Sequence, residues 1–387
     1  MLFDDFQRSN RNPPEHGEPL YPFLNSAAGA YWQSVRDILT EWLSAYPLDE
    51  QPTLISRFRR TDRRGFLGAF WELYLHELFR RLGFRIELHP EVAAATHRPD
   101  FRLQRGTAVI YVEAVTIYEP WEYSRDDPRL ALVRDAVGRV SSPRFRLSVD
   151  ARQIASTALP LQRLSRALES WLGTLEAESE SSQMSPPDSV FKWQESGWVL
   201  IFRPIPRGAT IEKPPGRRDL EADPVRTRSV DDARIIRTRL SGKSRAYGRR
   251  FDQSFLIALM SYRPSHGPEA VLRGLFGAAW TDPEMLRDRV IRRSRLKSPN
   301  GLWLTNKGVE YRDVSAVLAA FDVMPWSIAR GQPWLIANPW ASHPLEIELP
   351  FNRFDIDPAS GAIVPVATGF EPHRLFGRQP GWPPDVK

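Results

Sequence analysis

The sequence predicts an α/β (α+β) protein built on a central mixed sheet flanked by helices, and three observations carry that prediction. A long amphipathic helix from Arg63 to Leu82 leads into three strand-like runs: Phe84 to His89, Asp100 to Gln104, and Ala108 to Ile117. Between the last two runs, Gly106-Thr107 has the glycine-first pattern of a tight type II′ hairpin. Far downstream, a helical stretch from Asp232 to Tyr247 precedes an apolar strand from Ser254 to Ser261, and this pair is expected to complete the sheet.

The remaining elements follow from the same periodicities. Residues 1 to 28 are polar and Pro-rich and read as a loosely held arm. Trp32, Val35, Leu39, Trp42 and Tyr46 then recur at helical spacing, and Pro47 ends that helix. Gly83 closes the Arg63 helix. After Tyr118 the pattern becomes irregular, with a short helical stretch near Leu130 to Val137, a strand from Phe145 to Val149 and a clearer helix from Leu161 to Leu175. The acidic, Ser-rich segment Glu176 to Asp188 reads as a loop, Trp198 to Phe202 as a strand, and the Pro- and Arg-rich stretch Pro204 to Asp231 as a long mobile loop. Residues 266 to 387 show two short helical stretches and a Pro- and Trp-rich tail, either an appended subdomain or a wrap around the core. The expected organisation is therefore an arm and helix (1–50), a main domain (51–265) with insertions around 119–231, and a C-terminal extension (266–387).

Composition narrows the function classes. Hydrophobic residues make up 42% and charged residues 26% of the 387, the balance of a soluble globular chain. No apolar run is long enough to span a bilayer, and the N-terminus lacks the basic start and apolar stretch of a signal peptide, so the expected location is the cytoplasm, with no membrane partner. The chain has no cysteine, which excludes disulfides, thiolate-bound zinc and thiol nucleophiles. Any metal must sit on oxygen or imidazole. The net charge of +6 is a modest excess that favours a polyanionic partner and is equally the mark of a mixed solvated surface. Six of the 53 basic residues are lysines, leaving 47 arginines, the side chain that grips phosphate bidentately.

The chemistry is expected in residues 98 to 115, RPDFRLQRGTAVIYVEAV. If Gly106 and Thr107 form the two-residue turn, Arg105 pairs with Ala108 and, counting back, Asp100 lies opposite Glu113. Directly opposed residues on antiparallel strands have Cβ atoms about 4.5–5.5 Å apart on one face. Two carboxylates so placed repel, and a cation, a proton or solvent must relieve them. Mg²⁺, which takes one or two carboxylates with waters and phosphate oxygens, suits such a pair. The alternative is a surface hairpin whose acids splay into water or pair with arginines.

These residues resemble the PD-(D/E)XK nuclease superfamily. Pro99-Asp100 matches its PD element and Glu113-Ala114-Val115 its (D/E)XK element apart from the lysine, while GFLGAFWELYLHELFRRLGF looks like the opening helix of that restriction-endonuclease-like fold. The likeness covers about residues 60 to 118, and reaches about 262 with the Asp232 helix and the strand after it. It implies a metal-dependent nuclease or endonuclease that hydrolyses phosphodiester bonds in nucleic acid, with DNA the expected substrate and Mg²⁺ (or Mn²⁺) held by Asp100 and Glu113. Many members carry a further acid on the opening helix, and Glu72 matches its position, making it a third candidate ligand. On a helical wheel Glu72 and Glu77 occupy opposite borders of the apolar face. His76, His89 and His97 read as surface or turn histidines rather than ligands.

The family lysine is replaced by Val115, and lysine is absent from residues 1 to 191. Lys243 is the substitute. Ile236, Leu240, Lys243 and Tyr247 follow one another at steps of four, three and four and share a helix face, the apolar face that should pack on the sheet. A lysine there is costly to bury without a carboxylate or phosphate, although its stem can also carry it to solvent. Arg217, Arg218, Arg226 and Arg228 are candidates for backbone phosphate contacts. The competing expectation is an inactive module of the same fold that binds nucleic acid or a partner without cutting it, and Val115 is its best support.

Overall fold

The computed structural model describes residues 1–12, 18–92, 97–117, 132–133, 136–137, 140, 142, 145–153, 155, 157–181, 190–206, 232–247, 251–262, 266–277, 300–305, 307–321, 323–356 and 362–383. The chain divides into two compact units. One comprises Met1–Asp5, Gln33–Tyr118 and Asp231–Pro384; the other comprises Phe6–Trp32, Glu119–Val230 and Asp385–Lys387. The region around 119–231 expected as an insertion thus supplies most of the second unit. The boundary expected at residue 265 falls inside the first.

Among the described residues the helices are, in chain order, α1 (Leu20–Ser26), α2 (Ala30–Ser44), α3 (Gln51–Phe58), α4 (Arg63–Arg81), α5 (Leu161–Ser181), α6 (Asp232–Tyr247), α7 (Pro268–Phe276) and α8 (Pro372–Leu375). The strands are β1 (Arg85–Leu88), β2 (Phe101–Arg105), β3 (Ala108–Ile117), β4 (Phe145–Gln153), β5 (Phe191–Glu195), β6 (Trp198–Pro206), β7 (Ser254–Ser261), β8 (Leu304–Thr305), β9 (Gly308–Val309), β10 (Ala316–Phe321), β11 (Trp334–Ala337), β12 (Asn352–Ile356) and β13 (Ile363–Val366). Among the described residues, the first unit holds an eight-stranded mixed sheet in the order β1-β2-β3-β7-β10-β11-β12-β13. β1, β2 and β3 run antiparallel, β3, β7 and β10 run parallel, and β11 to β13 continue the same sheet. The Pro- and Trp-rich tail is therefore part of the sheet rather than an appendage to it.

β7 is buried at every position, as a central parallel strand covered on both faces must be. Alternation along the strands sorts the two faces. Val115, Ile117, Ile257, Leu259, Val317 and Ala319 form one core with Ile236, Leu240 and Tyr247 of α6 and Val271, Leu272 and Leu275 of α7. The two helices approach closely because Gly274 lacks a Cβ, which would sit 3.0 Å from Ile236 Cγ2. A hydrogen bond ties the approach to α7 to the end of β7. Ser261 Oγ lies 2.6 Å from His266 Nδ1, and His266 Nε2 lies 3.2 Å from Asp232 Oδ1 at the first turn of α6.

α4 covers the other face, lying along β3 and β1, and its Trp71 indole N–H donates to the Ala258 carbonyl at 2.9 Å. It starts at an Asp62 cap whose side chain accepts the Gly65 N–H at 2.7 Å. The sequence pattern made this helix amphipathic, but it is buried almost all round, Glu72 and Glu77 included. The reason is a second covering layer. α3 packs on one side, and Trp42 of α2 and Phe376 beyond α8 lie against Tyr74.

The second unit contains a three-stranded antiparallel sheet, β4-β6-β5, covered by Leu164, Leu168, Leu172 and Leu175 of α5. The loop expected over 176–188 begins later, since residues 176–181 still belong to α5, and the rest of it lies outside the described residues. So do residues 207–231 of the long mobile loop expected over 204–231, whose first three residues instead end β6, and all of 118–131. The expectation of a loose N-terminal arm is corrected for residues 1–12 and 18–28. Leu2, Phe3, Leu20, Tyr21, Phe23 and Leu24 are buried, the last four on α1. Polar and proline neighbours hide these few anchoring side chains from a composition-based reading.

Candidate active site

The hairpin forms in the expected register. Gly106 takes a φ of +62°, which a type II′ turn needs at its first central residue, and the ladder runs from Arg105 opposite Ala108 to Phe101 opposite Val112. Asp100 and Glu113 come next in the same register. The Ala114 N–H donates to Asp100 Oδ2 at 2.7 Å, which fixes the aspartate at the mouth of the hairpin against the neighbouring strand. Pro99 before it is buried, and the His89 N–H donates to the Asp100 carbonyl at 3.1 Å. Backbone pairing on both sides thus sets where this side chain starts.

Glu113 is buried at 3% exposure, and helix α6 meets it. Lys243 Nζ donates to Glu113 Oε1, and the Tyr247 hydroxyl donates to Glu113 Oε2. The two donors stand four residues apart on one helix, so a single face delivers both. The Lys243 side chain is 43% exposed, so it reaches the carboxylate from a wet edge. Val115, where the family pattern has lysine, is buried in the core with Ile236 and Leu240.

Electrostatics mark Asp100 as the strained member. Its carboxyl is pushed up to about 8, first by burial and then by the negative charges of Glu113 and Glu72, with the Ala114 N–H and Lys243 pulling the other way. One ammonium does not offset three acids. A cation at Asp100 and Glu113 would relieve what a proton relieves otherwise, and an all-oxygen donor set suits Mg²⁺ or Mn²⁺.

Glu72 lies close enough for its charge to act on Asp100, yet both its oxygens are engaged elsewhere. The Tyr46 hydroxyl donates to Oε1 at 2.7 Å and Arg57 Nη1 to Oε2 at 2.5 Å. Among the described residues no group of three or more His, Asp or Glu side chains is assembled to hold a metal. Glu77 is bound by Arg80 and Arg81. His76 is buried rather than superficial, its ring 4.8 Å from that of Tyr46, and burial pushes it down to about 4. His89 sits in a turn at φ +47°, and His97 is exposed. Arg217, Arg218, Arg226 and Arg228 lie outside the described residues.

Three participants escaped the sequence reading: the Tyr247 hydroxyl, and the Arg57 and Tyr46 pair on Glu72. Tyr247 was visible on the same stripe as Lys243, but was read as apolar lining. Arg57 and Tyr46 carried no signal, because their meeting with Glu72 depends on how α3 and the end of α2 fold back over α4. Comparison with known proteins adds no family to this geometry: no protein-family model, curated protein or solved structure matches the chain.

Proposed function

We propose that this protein is a metal-dependent nuclease of the PD-(D/E)XK type, with a restriction-endonuclease-like core made by α4, β1, β2, β3, α6 and β7, and that it hydrolyses phosphodiester bonds, DNA being the expected substrate. The observation that carries the proposal is the convergence of Lys243, from a helix, on Glu113, beside Asp100 on the paired strand. The sequence motif lacks its lysine, and the helix supplies an ammonium to the same acid. Asp100 and Glu113 would hold Mg²⁺ or Mn²⁺, which supplies Lewis-acid polarisation of a phosphate and a more acidic bound water. Lys243 orients the attacking water or stabilises charge developing on the phosphate, and its exposure leaves it free to turn from Glu113 to a substrate. Glu72, held by Arg57 and Tyr46, adds negative potential that favours cation binding.

A second reading rests on Val115. A buried valine cannot activate water, and a chain that kept the fold without catalysis would bind nucleic acid or a partner uncut. Cleavage assays on plasmid, linear and single-stranded substrates with Mg²⁺ or Mn²⁺ separate the two. Asp100→Asn and Glu113→Gln are expected to abolish cleavage, and Lys243→Ala to slow it on the order of a hundredfold, as loss of a preorganised donor does, with little change in substrate affinity. Binding without cutting by the wild-type chain across several metals selects the inactive module.

A further inference from the structure

We infer that Tyr247 is a positioning residue for Glu113: its hydroxyl holds one oxygen of that carboxylate in place so that Glu113 stays set for a divalent cation when Lys243 departs. The inference rests on the proposed function, since it concerns the same carboxylate pair.

Glu113 has two donors of different character. Lys243 has a flexible stem and a 43% exposed side chain. Tyr247 is 3% exposed, and its ring packs against the Phe251–Phe255 pair, with centroids 5.3 and 5.5 Å away, while those two rings stack on each other at 4.4 Å. A phenol packed in this way has little freedom to follow the carboxylate, so the carboxylate follows the phenol. The Tyr247 oxygen also lies 3.1 Å from the Arg98 carbonyl, two residues before Asp100. One hydroxyl proton serves one acceptor at a time, and the carboxylate is the stronger acceptor. The same phenol thus touches both sides of the pair, the side chain of Glu113 and the backbone leading to Asp100.

The two donors have separable tasks. An ammonium acting on phosphate or water must leave Glu113, and at that moment a carboxylate held by Lys243 alone would be free to rotate. Tyr247 prevents that rotation and leaves the other lone pairs of Glu113 open. A neutral hydroxyl does this without competing for charge with the incoming cation, whereas the ammonium does compete. Groups that hold a ligating carboxylate by hydrogen bonds set its orientation, and their loss typically costs about 10–100-fold in metal affinity.

The test uses the full chain and Mn²⁺ alone, with free ion counted by electron paramagnetic resonance, and thermal unfolding of the metal-free proteins as a check on folding. Tyr247→Phe keeps the ring and its packing. It is expected to weaken Mn²⁺ binding about tenfold with an unfolding midpoint near that of the wild type, whereas Lys243→Ala should leave Mn²⁺ affinity equal or tighter. In a Glu113→Gln background, adding Tyr247→Phe should cost less than twofold more, because the phenol acts through Glu113. Unchanged Mn²⁺ affinity in Tyr247→Phe, or losses that multiply fully in the double variant, overturns this inference and leaves the proposed function standing. A wild-type chain that does not bind Mn²⁺ overturns both.

Discussion

At the scale of single residues the site is a problem of charge, and Asp100 shows it most clearly. Its carboxyl is pushed up to about 8, chiefly by burial, against an unfolded value of about 3.9. Below about pH 4 the group is protonated folded and unfolded alike. As the pH climbs from about 4 the unfolded chain releases this proton while the folded chain keeps it, so stability falls, by about 1.4 kcal/mol per pH unit for one such group, and levels off above about 8. Metal-free Asp100→Asn is therefore expected to match the wild type near pH 4 and to be more stable at pH 8, as read by chemical denaturation. Mg²⁺ at pH 8 should stabilise the wild type and not the variant. A strong loss of metal-free stability at pH 8 would instead make the aspartate a structural partner of the cations around it. The hairpin register, from Arg105 opposite Ala108 to Phe101 opposite Val112, could be read from sequence because a two-residue turn fixes everything that follows from it. The protonation of Asp100 could not, since it depends on burial and on the charge of Glu72 from a helix on the opposite face.

At the scale of elements, α6 and its neighbours decide whether Lys243 arrives. Gly274 allows α7 to press against α6, and a Cβ there would lie 3.0 Å from Ile236 Cγ2 and 3.3 Å from the Ala233 carbonyl. Gly274→Val should destabilise the fold by about 1–3 kcal/mol through overpacking. It should also lower the cleavage rate by pushing the helix off the β3 face, without touching any site residue. A variant with wild-type cleavage would show that α6 is held from elsewhere. The strands and helices nearest the site were legible because each has a clear period and a clear stop: α6 and β7 begin and end at the expected residues, Asp232–Tyr247 and Ser254–Ser261. β10 was not, because AVLAAF is buried at five of its six positions and a continuous apolar run has no strand period. β11 and β13 are four residues each, with proline adjacent to one and inside the other, too short for any periodicity to register.

At the scale of the whole molecule the sheet joins segments that are remote in sequence. β7 lies between β3 and β10, so the strand that carries Glu113 and the C-terminal third share one hydrogen-bonded layer. Cutting the chain after Tyr311 removes β10 to β13 and strips a fully buried strand of its neighbour. The shortened chain is expected to lose cooperative unfolding and to aggregate through the exposed edge, measured by calorimetry and light scattering. An independent appendage would leave the remainder folded. Charge acts at the same scale. With a net charge of +6 carried mostly by arginine, affinity for duplex DNA should fall steeply with salt. Reversing Arg217, Arg218, Arg226 and Arg228 should cut the log–log slope by about three to four if each neutralises a phosphate. Salt-insensitive binding would exclude phosphate contacts as its basis.

The contact of α6 with α7 turns α6 into a ruler. Ala233 and Ile236 lie against Gly274 of α7, so Lys243 and Tyr247 are located by counting residues from that contact. Each residue of an α-helix advances about 1.5 Å and turns about 100°. Removing one residue between Ile236 and Lys243 would therefore swing the ammonium about a quarter-turn away from Glu113 and present Ser244 in its place. Such a deletion changes no functional side chain, and circular dichroism should find the helix intact, yet cleavage is expected to vanish. The helix has to keep its phase as well as its residues, which makes insertions and deletions in this stretch more damaging than most substitutions on its exposed side.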